Sequence, residues 1–286
     1  MTSDRFTRFV MYAYLAVFFG YLFLPLIIMG AATFNDSRFP TISPWQGVTL
    51  KWFAALWADR QMWTALWVTI VIGCLVVFIS VPIGVAAALL LASLHARARN
   101  IVYAVMISPL LTPGVIIGIS TLVFWRRFGV SGGIFLTVLA QSSFIAAYIM
   151  LMVMARLQRF DRSLEEAALD LGASHFQAFR RITLPFLRPA LLAGAFIAFL
   201  QSFENYNTTL FVRGLRETLT VYIATKVRIG VSPAVNALGL ILIAVTVLAV
   251  VAIEVARRRK AATAPAAVVA EPEGEVAAPA VLRPAR

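Results

Sequence analysis

The segment FLQSFENYNTTLF, residues 199–211, places a carboxylate, Glu204, inside an otherwise apolar run. A charged side chain at the centre of a hydrocarbon layer costs on the order of 2.5–3.5 kcal/mol, and such residues face a bundle interior or a water-filled path. Read as helix, Gln201, Glu204, Asn205 and Thr208 fall at i, i+3, i+4 and i+7 and form one polar stripe. That stripe is expected to line a translocation path. Hydrogen bonding to a neighbouring helix, for packing alone, is the other use open to it.

A second candidate lies upstream, in LEEAALDLGASHFQAFRRITLPFLRP, residues 164–189. Ser163 with Glu166, and Ser174 with Gln177, have the spacing of capping boxes, in which side chains satisfy the free N–H groups that begin a helix. Two short helices are expected, with Gly172 as a left-handed cap after the first and Pro185 and Pro189 stopping the second. Leu164, Ala167, Ala168 and Leu171 then share one narrow apolar face, a surface shaped for docking. In SPLLTPGVIIG, Pro109 and Pro113 remove backbone donors and Gly114 and Gly118 permit close approach, which predicts a kink or hinge.

Other chemistry is poorly supported. None of the 16 glycines is followed by lysine, so the phosphate loop G-x-x-x-x-G-K-[S/T] is missing. No Ser, His and Asp set and no paired carboxylates lie together beside the apolar runs, so catalysis has no candidates and the chain is not expected to be an enzyme. His95 and His175 are isolated, the one cysteine, Cys74, reads as a small buried apolar residue, and neither metal nor cofactor is expected.

The elements that must position these residues follow from composition. Of 286 residues, 61% are hydrophobic and 13% charged, with a mean hydropathy of +0.86. A water-soluble fold could not hide that much apolar surface, so an all-α integral membrane protein is expected. Six runs reach the length of roughly 20 residues that crosses the hydrocarbon core: 9–34, 64–93, 101–124, 134–156, 186–212 and 235–256. The first is too long for the core of a cleaved signal and reads as a retained span. With the N-terminus inside, residues 1–8, 94–100, 155–188 and 257–286 hold 2, 2, 6 and 6 of the 25 lysines and arginines, leaving 9 outside. The positive-inside bias therefore puts both termini in the cytoplasm and makes nucleic acid an unneeded partner for the net charge of +12. All six tryptophans fall near the outer interface in this topology, where a short surface helix is expected near 50–58. Residues 1–260 form the membrane domain, and 261–286, rich in Ala, Pro and Glu, read as a disordered cytoplasmic tail.

The sequence resembles a known family. The order E-A-A, three residues, G, nine residues, I-x-L-P is the signature of the membrane subunits of binding-protein-dependent ABC importers, and it is met by Glu166, Ala167, Ala168, Gly172, Ile182, Leu184 and Pro185. TFNDS, WQGVTLKWFAALW, SPLLTPGVIIGIS and GVSPAVNALGL are similar to stretches of the spermidine/putrescine-type permeases. The resemblance implies a type I importer fold of six transmembrane helices with cytoplasmic coupling helices, in a bacterial inner (plasma) membrane. It implies that Glu166, Ala167, Ala168 and Gly172 engage an ATPase subunit, with Ile182, Leu184 and Pro185 packing the base of the loop. It also implies as partners two copies of an ATP-binding subunit, a second permease subunit and a periplasmic or extracellular solute-binding protein. In polyamine permeases an acidic residue near the place of Glu204 faces the pathway, and a polyamine is the implied solute. The alternative from the residues alone is a secondary transporter or channel in which Glu204 is a coupling or selectivity carboxylate.

Overall fold

Helix α3 (Arg60–Ser93) is the spine of the computed structural model, which describes residues 2–230 and 232–263. It packs most extensively on α6 (Ile134–Leu157), and both pack on α9 (Leu184–Phe203). Val68, Ile72, Val76 and Leu91 of α3 meet Ile145, Ile149, Met150 and Val153 of α6 and Leu187 and Ala198 of α9, all buried. Where the outer solvent is as apolar as the side chains, such association rests on close van der Waals fit, which favours small residues at the contact. Gly84 supplies that fit: a Cβ there would stand 2.7 Å from Ile149 Cβ and 2.8 Å from the carbonyl of Ala146. Cys74, expected to be buried, lies instead on the exposed face of α3 with Leu75 and Phe78, turned away from the α6 and α9 contacts.

The remaining elements are α1 (Thr2–Thr33), α2 (Lys51–Ala58), α4 (Ala96–Leu111), α5 (Gly114–Arg126), α7 (Ser163–Asp170), α8 (His175–Ala178), α10 (Thr209–Val212), α11 (Leu219–Ile229) and α12 (Pro233–Thr263). Among the described residues the only extended pairing is the bridge Asn35–Val48, in the loop before α2. Buried Asn35 organises that loop: its Nδ2 donates to the carbonyls of Thr41 and Pro44, and its Oδ1 accepts from Gln46 N–H. The surface helix expected near 50–58 is α2.

Among the described residues the six expected spans are not all found as single helices. Four helical stretches among the described residues are long and apolar enough to cross a membrane, Arg5–Thr33, Arg60–Ser93, Ile134–Leu157 and His175–Phe203. The third apolar run is broken into α4 and α5, which meet at 103°, and only together would they count as a fifth. At about 1.5 Å per residue neither piece alone spans roughly 30 Å. The break falls at Thr112-Pro113, where proline can neither donate to the preceding turn nor leave its neighbour in helical conformation. The fifth run stops at Phe203 rather than 212. In the last run the described apolar stretch is Pro233–Leu248. By their internal contacts the residues divide into units Met1–Leu238 and Gly239–Arg286. Helix α12 continues to Thr263, and residues 264–286 of the expected disordered tail lie outside the described residues.

Asp59 ties α3 to α11. Its carboxylate caps α3 by accepting from Gln61 N–H (2.9 Å) and Met62 N–H (3.1 Å), while Tyr222 Oη donates to its other oxygen (2.7 Å) and Lys226 Nζ lies 3.5 Å away. Partial burial pushes its pKa up, but Tyr222, the capping amides and Lys226 outweigh this and hold it below the ordinary 3.8. A depressed carboxylate contributes stability that is complete above its unfolded pKa and is lost as pH falls through the folded value. The thermal midpoint in detergent is therefore expected to fall as pH drops below about 4, and Asp59→Asn should lower the neutral-pH midpoint and flatten that acid limb.

Candidate functional site

Two places gather the polar residues. The first is the elbow between α6 and α9. Helix α7 ends with Gly172 at φ +85°, a left-handed conformation that costs a residue with Cβ roughly 1–2 kcal/mol. Ala173 N–H donates to Ala168 O (3.0 Å) and Gly172 N–H to Leu169 O (2.9 Å), the Schellman pair that closes the last turn. Next, Ser174 Oγ accepts from Gln177 N–H (3.3 Å) and Gln177 Oε1 accepts from Ser174 N–H (2.9 Å), so the second capping box is formed. The first is not. Arg162 is the residue before α7, Asp161 Oδ1 takes the Ser163 N–H (3.0 Å), and the α7 carboxylate that reaches inward is Glu165, which accepts from the buried Thr183 hydroxyl.

Pro185 and Pro189 do not stop a helix. His175 to Phe203 runs on through a π-helical turn, Phe179–Thr183, in which Leu184 N–H reaches back five residues to Phe179 O. The widened turn makes room for the Pro185 ring and for its missing donor. Glu166 and Ala167 are exposed, Ala168, Ile182 and Leu184 are half-buried, and Pro185 is exposed. Leu164, Leu171 and Phe176 are exposed too, Leu171 at 90%. The elbow is thus an apolar surface without a partner within the described chain. Its base is held by Arg162 Nη2, which donates to Ala92 O at the end of α3 (3.0 Å), and by Arg156 Nε, which donates to Phe186 O (3.3 Å).

The second place is a cavity of about 310 Å³ lined by Pro109, Leu110, Thr112, Gly114, Ile117 and Phe144 on one side and by Gln201 and Glu204 to Thr208 on the other. Gln201, Glu204, Asn205 and Thr208 do share this wall, but not as a helical stripe. Helix α9 ends at Phe203, Glu204 follows as its exposed cap, and α10 starts only at Thr209. Asn205 cannot offer its oxygen to a solute: Oδ1 accepts from Thr208 N–H, Thr209 N–H (3.2 Å each) and Thr209 Oγ1 (3.1 Å). The Thr208 hydroxyl, fully buried, has no partner among the described residues. Tyr206 lines the cavity and its hydroxyl accepts from Arg228 Nη2 (3.1 Å). Pro109 is on the wall, and Pro113 sits at the 103° break. The sequence reading missed Gln141, which is completely buried on α6 and bonded to Ser202 and Thr209. A glutamine within an apolar run was the available signal.

An open cavity edged by a carboxylate, amides and hydroxyls, where an apolar helix is interrupted, has the chemistry to receive a polar solute. Residues 80–261 match the family of binding-protein-dependent transport system inner membrane components. The chain is 31% identical over 248 residues to the spermidine/putrescine transport system permease protein PotC of Escherichia coli K12, covering 86% of this chain and 93% of that one. It is 32% identical over 233 residues to the putrescine transport system permease protein PotI of the same organism, covering 79% and 82%. In fold it is similar to a bacterial ABC transporter involved in import of the acidic polysaccharide alginate (TM-score 0.67, 17% identity, 90% of this chain and 98% of that one). A crystal structure of a bacterial alginate ABC transporter in complex with its alginate pentasaccharide-bound periplasmic protein gives a TM-score of 0.66 at 19% identity, covering 88% and 95%.

The chain is a transport permease of the ABC importers, not an enzyme. It belongs to the binding-protein-dependent inner membrane components, among the relatives of the spermidine/putrescine permeases, and this sets aside the secondary-transporter or channel reading of Glu204.

The cavity wall depends on close approach of α5 to the turn before α10. A Cβ on Gly118 would stand 2.7 Å from Thr208 O, whereas one on Gly20 would meet nothing within 4 Å. Gly118→Val should therefore cost about 1–3 kcal/mol, read as a lower thermal midpoint in detergent, while Gly20→Ala should not lower it.

Proposed function

We propose that this permease forms one half of a path for a polyamine such as putrescine or spermidine, and that a separate ATPase opens and closes the path by gripping the elbow. The observation that carries the solute reading is the Glu204 carboxylate, exposed at the wall of a polar cavity with Gln201 beside it and the unpartnered Thr208 hydroxyl behind. A fixed negative charge with hydrogen-bond acceptors around it attracts an alkylammonium ion and repels anions. Two relatives of this length and similarity are permeases for such solutes.

The coupling surface is assigned to Glu166, Ala167, Ala168 and Gly172, with Leu164 and Leu171 as the apolar anchors beside them and Ile182, Leu184 and Pro185 behind. Support comes from an exposed apolar face on α7, whose C-terminal end is closed by the Schellman turn, with the capping box of α8 directly after it. Force on α7 reaches α9 through Glu165 and Thr183, and α3 through Arg162 and Ala92, so the elbow and the bundle move together. Pro109 and Pro113, at the bend beside the cavity, serve as the hinge by which α4 and α5 change their angle. The assembly contains two ATP-binding subunits, a second permease and a periplasmic or extracellular solute-binding protein. It lies in the bacterial inner membrane with both chain termini in the cytoplasm, and works by alternating access.

Glu204→Gln keeps the shape and removes the charge. Uptake of radiolabelled putrescine in cells should fall by at least about tenfold, the scale of a lost charge-assisted contact, while the complex still co-purifies intact; undiminished uptake would remove Glu204 from the path. Gly172→Val should strain the elbow and abolish co-purification of the ATPase subunit, while the thermal midpoint of the permease itself changes by only a few degrees.

A further inference from the structure

The five residues Glu204–Thr208 are unwound between α9 and α10, and both ends of that turn are held by one side chain from a third helix. Gln141, on α6 and completely buried, does not line the cavity. Its Oε1 accepts from Ser202 Oγ (2.5 Å), in the last turn of α9, and its Nε2 donates to Thr209 Oγ1 (2.7 Å), the first residue of α10. Because Thr209 Oγ1 accepts from Gln141, its single proton goes to Asn205 Oδ1, which also caps the Thr208 and Thr209 N–H groups. Ser202 and Thr209 are themselves buried. A carboxamide accepts at one atom and donates at the other, and so serves both hydroxyls at once. Buried polar groups left without partners are costly, so the network is held as a unit.

We propose that Gln141 is a positioning residue for solute passage: by pinning the end of α9 and the start of α10 it sets where the Glu204 carboxylate meets the cavity, without touching solute itself. This rests on reading the cavity as the solute path. A residue that merely packed α6 against α9 would be replaced by methionine, of similar volume, with no effect confined to the turn.

The test uses the assembled complex in lipid nanodiscs, without solute, and follows amide hydrogen exchange. In Gln141→Met and in the isosteric Thr209→Val, exchange at Thr208 and Thr209 is expected to quicken on the order of tenfold, with the rest of α6 unchanged. Thr209→Ser, which keeps the hydroxyl, should exchange as wild type, and Gln141→Met with Thr209→Val together should add little to either alone. In parallel, Gln141→Met should raise KM for putrescine about tenfold, with the maximal rate much less affected. Unchanged exchange in both Gln141→Met and Thr209→Val overturns the proposal whatever the solute is. Faster exchange with an unaltered KM overturns the positioning role. If the wild-type complex takes up no polyamine at all, the solute reading falls and the exchange result alone decides the pin.

Discussion

An α-helix can be interrupted inside an apolar layer only where every freed backbone group finds a new partner, because no water is there to take its place. The turn between α9 and α10 meets that demand with one of its own side chains and one from α11. Asn205 Oδ1 takes two amide protons that open α10, and Thr220 Oγ1 donates to the Asn205 carbonyl. Having met the backbone's needs, Asn205 has no acceptor to spare, and Glu204 is left as the anionic group facing the cavity. The opposite wall follows the same rule at Thr112-Pro113, where a second interrupted helix brings Gly114 and Gly118 against Thr208. Two broken helices facing each other make a polar pocket out of residues that straight helices would bury or expose to lipid.

The elbow obeys a different constraint. In the proposed coupling role it must be stiff, because a loose loop transmits no displacement, and it must keep an apolar face exposed for the ATPase subunit to grip. Its stiffness comes from backbone satisfaction in a very short space: a Schellman turn at Ala168 to Ala173 followed at once by a capping box at Ser174 and Gln177. Arg162 on Ala92 and Glu165 with Thr183 then join it to α3 and α9, the two helices that share a core with α6. Elbow and cavity thus stand at opposite ends of α9, with the π turn at Phe179–Thr183 below and the interruption at Glu204 above.

Apolar run length was the most legible feature of the sequence: it gave the class and the approximate place of each long helix, and the family followed from seven residues of the elbow. Interruptions were harder to see. Gln201, Glu204, Asn205 and Thr208 were picked for a helical stripe and are together for another reason, since Asn205 prefers to cap a new helix over continuing the old one. Pro113 marked a bend, but not the 103° that removes a straight third span. Pro185 was read as a stop because proline denies one hydrogen bond, and a five-residue π turn absorbs that loss instead. Ser163 with Glu166 has the spacing of a capping box, but Asp161 Oδ1 takes the Ser163 N–H instead. Gln141 was overlooked because its importance lies in two partners more than 60 positions away in the chain.

The proposed path does nothing without its motor. Reconstitution of the purified permease into lipid vesicles, with and without its ATPase subunits, second permease, solute-binding protein and ATP, measures this most directly by the accumulation of radiolabelled putrescine inside. Accumulation only when all components and ATP are present is the expected result. Accumulation by vesicles that hold this chain without any ATPase would contradict it.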